Sequence, residues 1–103
     1  MFIIRRVGVA KPGRRDETIG VIREFYAVME KNLGRSLEPR IVTGSIGVSD
    51  SVIETEIRVE SLAEFEESLK QSNAMPELGG FMQKMSELMV PGSNRFEIYR
   101  LQS

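Results

Sequence analysis

The sequence predicts an α+β sandwich in the order β-α-β-β-α-β, with an antiparallel four-stranded sheet covered on one side by helices. Three observations lead there. Apolar and polar residues alternate from Val52 to Glu60, the period of a half-buried strand. Apolar residues instead recur at helical spacing from Ile19 to Leu33 and from Leu78 to Met89. Turn residues separate the segments: Pro12-Gly13, Gly34, Ser49-Asp50-Ser51 and Pro91-Gly92.

Phe2 to Ala10 is rich in Ile and Val and reads as the first strand, stopped by Lys11-Pro12-Gly13. Asp16 or Thr18 then caps a helix that runs to about Leu33, with Ile19, Ile22, Phe25, Tyr26, Met29 and Leu33 as its apolar stripe. Gly34 is placed to end it. Pro39 closes the connection into a strand from Arg40 to Val48, in which Gly44 and Gly47 suggest a bulge or a close backbone approach. After the turn, Val52–Glu60 points Ile53, Thr55, Ile57 and Val59 to one face, and Glu54, Glu56, Arg58 and Glu60 to the other. Ser61 and Glu64 stand at capping-box spacing and open a helix whose buried edge is Leu62, Phe65 and Leu69. Ser72-Asn73 interrupts it, and Pro76 starts a further helix with Leu78, Phe81, Met82, Met85, Leu88 and Met89 on one face. Arg95 to Leu101 is the last strand. Two strand–helix–strand units sharing a hairpin make a ferredoxin-like split β-α-β sandwich, and 103 residues are room for one domain, spanning 1–103.

Composition limits the chemistry. With no cysteine there is no disulfide, thiolate nucleophile or zinc–sulfur site. With no histidine the usual general base and metal ligand is missing. A net charge of −1 gives no general attraction to nucleic acid or an anionic membrane, and no apolar run approaches the ~20 residues of a membrane span. No metal or cofactor is expected, and a cytoplasmic location is.

If helices cover one face of the sheet, the other carries charge. It is expected to hold Arg6, Glu54, Glu56, Arg58, Glu97 and Tyr99, with Arg95 beside them. Arg6 is assigned there because Ile3, Val7 and Val9 then face the helices, leaving Phe96 and Ile98 for the helix side. These residues form either an ion-pair network between subunits or a site for a small ligand, with Arg6 or Arg58 meeting an anionic group. A carboxylate pair could make Glu54 or Glu56 a general base, which neighbouring arginines oppose. Lys11, Arg14 and Arg15 at a helix start read as a solvated basic turn ahead of a phosphate site. Met75, Met82, Met85 and Met89 read as core ahead of a promiscuous pocket.

Arg6 through Lys11-Pro12-Gly13, Glu54-Thr55-Glu56 running into Glu60-Ser61-Leu62-Ala63-Glu64-Phe65-Glu66, and the ending Arg95-Phe96-Glu97-Ile98-Tyr99-Arg100 together resemble the dimeric α/β-barrel proteins, in particular small NIPSNAP-like ones. The resemblance implies a homodimer whose two sheets enclose a cavity lined by the charged face. It transfers no catalytic residue: haem-dependent members use a histidine that this chain lacks. Cofactor-free oxygenases of the fold use Trp, His, Asn or Tyr, of which Tyr26, Tyr99, Asn73 and Asn94 are present. Two functions are therefore carried forward. One is a homodimeric barrel that binds a small ligand or serves a structural role. The other is a cofactor-free oxygenase or isomerase of a small hydrophobic or aromatic carbonyl compound.

Overall fold

Residues 1–102 are described by the computed structural model. Along the chain run β1 (Phe2–Val9), α1 (Arg15–Leu33), β2 (Arg40–Thr43), β3 (Val52–Val59), α2 (Leu62–Asn73), α3 (Leu78–Leu88) and β4 (Arg95–Arg100). The four strands form one antiparallel sheet in the order β2-β3-β1-β4, a ferredoxin-like arrangement with β2 and β4 at its edges. No helix is long and apolar enough to cross a membrane.

α1 begins at Arg15, so Asp16 and Thr18 lie inside its first turn and neither caps it. Thr18 is fully buried and its hydroxyl donates to the Arg14 carbonyl at 2.6 Å, which removes it from the capping role. The carboxylates of Asp16 and Glu17 remain near the positive end of the helix dipole. The helix ends at Gly34 in the left-handed region (φ 70°), whose amide donates to the Glu30 carbonyl.

α2 starts as its spacing predicts. Ser61 Oγ accepts from the Glu64 amide at 3.1 Å, and the Glu64 carboxylate accepts from the Glu60 amide at 2.9 Å. Arg35 clamps the same turn from the loop after α1, pairing with Glu64 and donating to Ser68 Oγ. The arginine bond, seconded by that amide, holds the Glu64 carboxyl below the usual carboxylate range. A depressed folded pKa adds stability above the unfolded pKa, and that stability is lost as pH falls through the folded value. In Glu64→Gln the drop in melting temperature between neutral and acidic pH is expected to shrink; an unchanged drop would remove Glu64 from the acid response.

Leu62 and Leu69 do not form a buried edge. Both are exposed, and the residue α2 buries is Ser68. Beneath this helix lies a cleft instead of close packing, and Phe65 reaches across to Phe96 with ring centroids 6.5 Å apart. In α3, Leu78 and Leu88 are buried while Met82 is 62% exposed, so the apolar stripe continues past the core onto the cleft rim. The core has two centres: Ala10, Ile22, Ile53 and Met89, and Met29, Leu37 and Leu78.

β2 stops at Thr43, five residues short of the expected Val48. The Gly44 amide donates to the Val52 carbonyl at 3.0 Å, and a Cβ on Gly44 would overlap the Ser49 carbonyl oxygen. Only glycine lets these two backbones pass, so the chain pinches at 44 and 49 and residues 45–48 project as a loop. Gly44→Ala is expected to cost about 1–3 kcal/mol by overpacking, read by urea denaturation; no loss of stability would mean the neck is relaxed.

Candidate functional site

Strand register divides the sheet's side chains. Partners across an antiparallel pair share a face. Arg5 pairs with Glu56 and Glu97, Glu56 with Arg40, Val7 with Glu54 and Arg95, and Ile3 with Arg58 and Tyr99. The uncovered face therefore carries Arg5, Arg40, Glu54, Glu56, Arg58, Arg95, Glu97 and Tyr99, together with Ile3, Val7 and Val9. Arg6 pairs with Thr55 and Phe96 and lies on the other face, under the helices, next to Ile4 and Gly8 in parity. This corrects the assignment of Arg6 to the charged face and of Ile3, Val7 and Val9 to the helix side. The physical reason is that β1 is a central strand and apolar on both faces, so its alternation gives no parity. Of the six expected site residues the structure brings together Glu54, Glu56, Arg58, Glu97 and Tyr99; Arg6 stands apart, and Arg5 takes its place.

One row of the open face crosses the whole sheet with alternating sign: Arg40 on β2, Glu56 on β3, Arg5 on β1, Glu97 on β4. Arg5 Nε donates to Glu56 at 3.0 Å, lies 3.9 Å from Glu54, and stacks 5.0 Å from the Tyr99 ring centroid. The Glu56 hydrogen bond outweighs partial burial and raises the Arg5 pKa. Arg95 pairs with Glu97 at 3.2 Å. Glu56 is thus engaged by a guanidinium, an arrangement suited to holding a surface together. The basic turn is likewise partnered: Arg14 with Glu17, and Arg15 with Asp16 and Asp50.

Arg6 has a different setting. Among the described residues no carboxylate lies within ion-pair distance of it, and its guanidinium sits over the Phe96 ring at 4.5 Å. It is half-buried at the junction of four adjoining clefts between sheet and helices. The inner cleft, of about 40 Å³, is walled by Ile22, Tyr26, Ile53, Phe81 and Met85, among others. It opens toward β4 into a groove of about 320 Å³ bounded by Met82, Met85, Asn94, Arg95 and Phe96. A second groove, of about 410 Å³, runs toward Leu69, Asn73 and Met75. The outer grooves have the size of small-molecule sites, while the inner space holds a few waters or the end of a ligand.

Of the polar side chains in these clefts Arg6 only donates hydrogen bonds, while the hydroxyls and amides can donate or accept. Burial raises the Tyr26 phenol, against a smaller opposing effect of Arg6, so the hydroxyl stays protonated at neutral pH. Asn94 folds over Gly8, where a Cβ would collide with its side-chain oxygen and with the Met89 methyl. Thr55, Ser68 and Ser72 add hydroxyls. Among the described residues no carboxylate lines these four clefts. Such a site can hold an electron-rich oxygen on an apolar body; it has no group to remove a proton from carbon. Gly8 and Thr55 carried no signal in the sequence. The methionines did: Met75, Met85 and Met89 both pack against the core and line the clefts, while Met82 lines the clefts alone.

The chain matches no family model and no curated protein. Its fold is shared with solved structures. A NIPSNAP family protein of Agrobacterium tumefaciens superposes with a TM-score of 0.80 at 18% identity, over 98% of this chain and 92% of that one. A NIPSNAP domain protein of Burkholderia xenovorans gives 0.79 at 9% identity, over 100% and 96%. SnoaB, a cofactor-independent oxygenase from Streptomyces nogalater, gives 0.72 at 10% identity, over 99% and 93%. At these identities the likeness establishes the NIPSNAP-like, ferredoxin-like fold and assigns no activity.

Proposed function

We propose that the protein is a cytoplasmic homodimer that binds, in each copy, a small aromatic or apolar ligand bearing an anionic oxygen, held by Arg6 in the cleft between helices and sheet. The observation that carries the binding reading is a half-buried Arg6 with no acidic partner among the described residues, set among Tyr26, Asn94, Phe96 and methionines. A charge taken from water is normally paired. Among the described residues the sheet's acids lie away from Arg6: Glu54 and Glu56 against Arg5, and Glu97 against Arg95.

The dimer reading is supported by the row Arg40–Glu56–Arg5–Glu97. Let two copies meet face to face about a two-fold axis running along the strands. The row is then read in reverse opposite itself: Arg40 meets Glu97 of the second copy and Glu56 meets Arg5. Every charge faces its opposite. An axis across the strands sets each strand against its own copy, so that row earns no opposite-sign pairing from it. Ile3 and Val9, both partly exposed, add apolar surface along β1.

Calorimetric titration with 2-naphthoate, an aromatic ring with one carboxylate, tests the binding reading. The anion is expected to bind, and its neutral methyl ester at least about tenfold more weakly, the value of one charge-assisted hydrogen bond. Equal affinity for the two, or heat from neither, would contradict it.

A second reading, cofactor-free oxygenation of an acidic enol or phenol, is favoured by the convergence of Tyr26 and Asn94 on Arg6 and by the fold shared with SnoaB. Without a base in the cleft, the substrate would have to enter already ionised. Oxygen uptake that rises with the ionised fraction of such a substrate would support this reading, and none above the uncatalysed rate would end it.

A further inference from the structure

We infer that Asn94 sets the ligand class. Beside the anionic group held by Arg6, its amide donates to a second oxygen, so the cleft takes aromatic acids with a hydroxyl or carbonyl oxygen next to the acid group. This rests on the Arg6 binding reading above.

Gly8 lies in β1, a central strand. A glycine there weakens the strand and marks a place that something approaches closely. What approaches is Asn94 and Met89. A Cβ on Gly8 would stand 2.4 Å from Asn94 Oδ1 and 2.4 Å from the Met89 methyl carbon. The Asn94 oxygen thus turns toward β1, which leaves its NH2 group for the groove that Asn94 lines together with Arg6.

The turn that carries Asn94 is fixed to the same strand. The Val90 amide donates to the Val9 carbonyl at 2.8 Å, and the Val9 amide donates to Ser93 Oγ at 3.1 Å. That hydroxyl donates in turn to the Val90 carbonyl at 2.6 Å. A group held in place this way loses little freedom when a ligand arrives.

Register gives the spacing. Arg6 pairs with Phe96 and Val7 with Arg95, so the next position sets Gly8 opposite Asn94, on the face of Arg6. Arg6 and Asn94 are then diagonal neighbours, with Cα atoms roughly 7–8 Å apart, a span that a long side chain crosses. Both border the inner cleft as well as the groove toward β4. The guanidinium fork takes both oxygens of a carboxylate. The neutral amide is left for a further oxygen beside it. An adjacent hydroxyl fits that position: its hydrogen is donated to the carboxylate within the ligand, and its oxygen accepts from the Asn94 NH2.

Calorimetric titration with 2-naphthoate and 3-hydroxy-2-naphthoate, which share ring system and charge, tests this. The native chain is expected to bind the hydroxy acid roughly fivefold more tightly, within the range of one neutral hydrogen bond. In Asn94→Ala the hydroxy acid is expected to lose roughly fivefold more than 2-naphthoate does, so that the preference vanishes. Asn94 is exposed at the groove, and its truncation is expected to leave the fold intact. Gly8→Ala, whose Cβ displaces the amide, is expected to lose the preference too. If neither acid binds the native chain, the binding reading fails and this inference with it. If the two bind the native chain equally, or the preference survives Asn94→Ala or Gly8→Ala, only this inference is overturned. Equal weakening of both acids by Asn94→Ala would place the amide on the carboxylate and overturn it as well.

Discussion

Arg6→Met is expected to weaken 2-naphthoate binding by roughly 10- to 100-fold, the range of a lost charge-assisted hydrogen bond, while leaving the protein folded and equally or more stable. The two halves of this expectation test different things. Arg6 is half-buried with no acidic partner among the described residues, so its charge costs desolvation that no ion pair among them offsets. Methionine keeps the aliphatic length against Phe96 and joins Met82 and Met85, which already line the groove. A purely structural arginine behaves in the opposite way: its loss lowers the melting temperature and leaves ligand affinity to follow stability. Arg5→Met is the control, because Arg5 lies on the other face and does not touch the cleft. Equal losses of naphthoate affinity in the two variants would sink the assignment to Arg6.

Reversing one charge on the open face is expected to dissociate the dimer, and mixing two reversed variants to restore it. In Arg5→Glu the new carboxylate faces Glu56 of the second copy twice, once on each side of the axis. Close like-charge juxtaposition costs several kcal/mol, so the dimer dissociation constant should rise by on the order of 10³-fold or more. Glu56→Arg meets the same fate, with Arg5 opposite. In an equimolar mixture the two rows are complementary at all positions, and a heterodimer should form that neither variant forms alone. The intrachain Arg5–Glu56 bond cannot produce that result, since it is broken in both variants. Sedimentation of each variant and of the mixture, at low and high salt, reads the effect. A mixture that stays monomeric would show that the row pairs only within its own sheet.

Much of the fold was legible because it rests on local chemistry. The alternation of Val52–Glu60 gave β3 its face, and the Ser61–Glu64 spacing marked the start of α2 to the residue. Gly34 stopped α1 where a left-handed residue is cheapest. What was not legible depends on tertiary neighbours. Ile3, Ile4, Val7 and Val9 are apolar at both parities because β1 lies between β3 and β4, and two consecutive arginines cannot break the tie. Only register shows that Arg5 joins the acids and Arg6 avoids them. β2 was overextended because a pattern of Val and Ile continues through residues that instead form a necked loop. Leu62 and Leu69 have core spacing, yet the helix that bears them stands over a cleft. The proposed site follows the same rule. Its aromatic and methionine walls read as helix stripes, while alternation alone sets Arg6 on the wrong side of the sheet.

Sedimentation equilibrium of the unaltered chain at low micromolar concentration tests the central claim, that the charged face of the sheet is closed by a second copy. A mass near 23 kDa, about twice the 11.6 kDa of the chain, is the expected result, with dissociation as salt is raised. A mass of 11.6 kDa at every concentration and salt would contradict it.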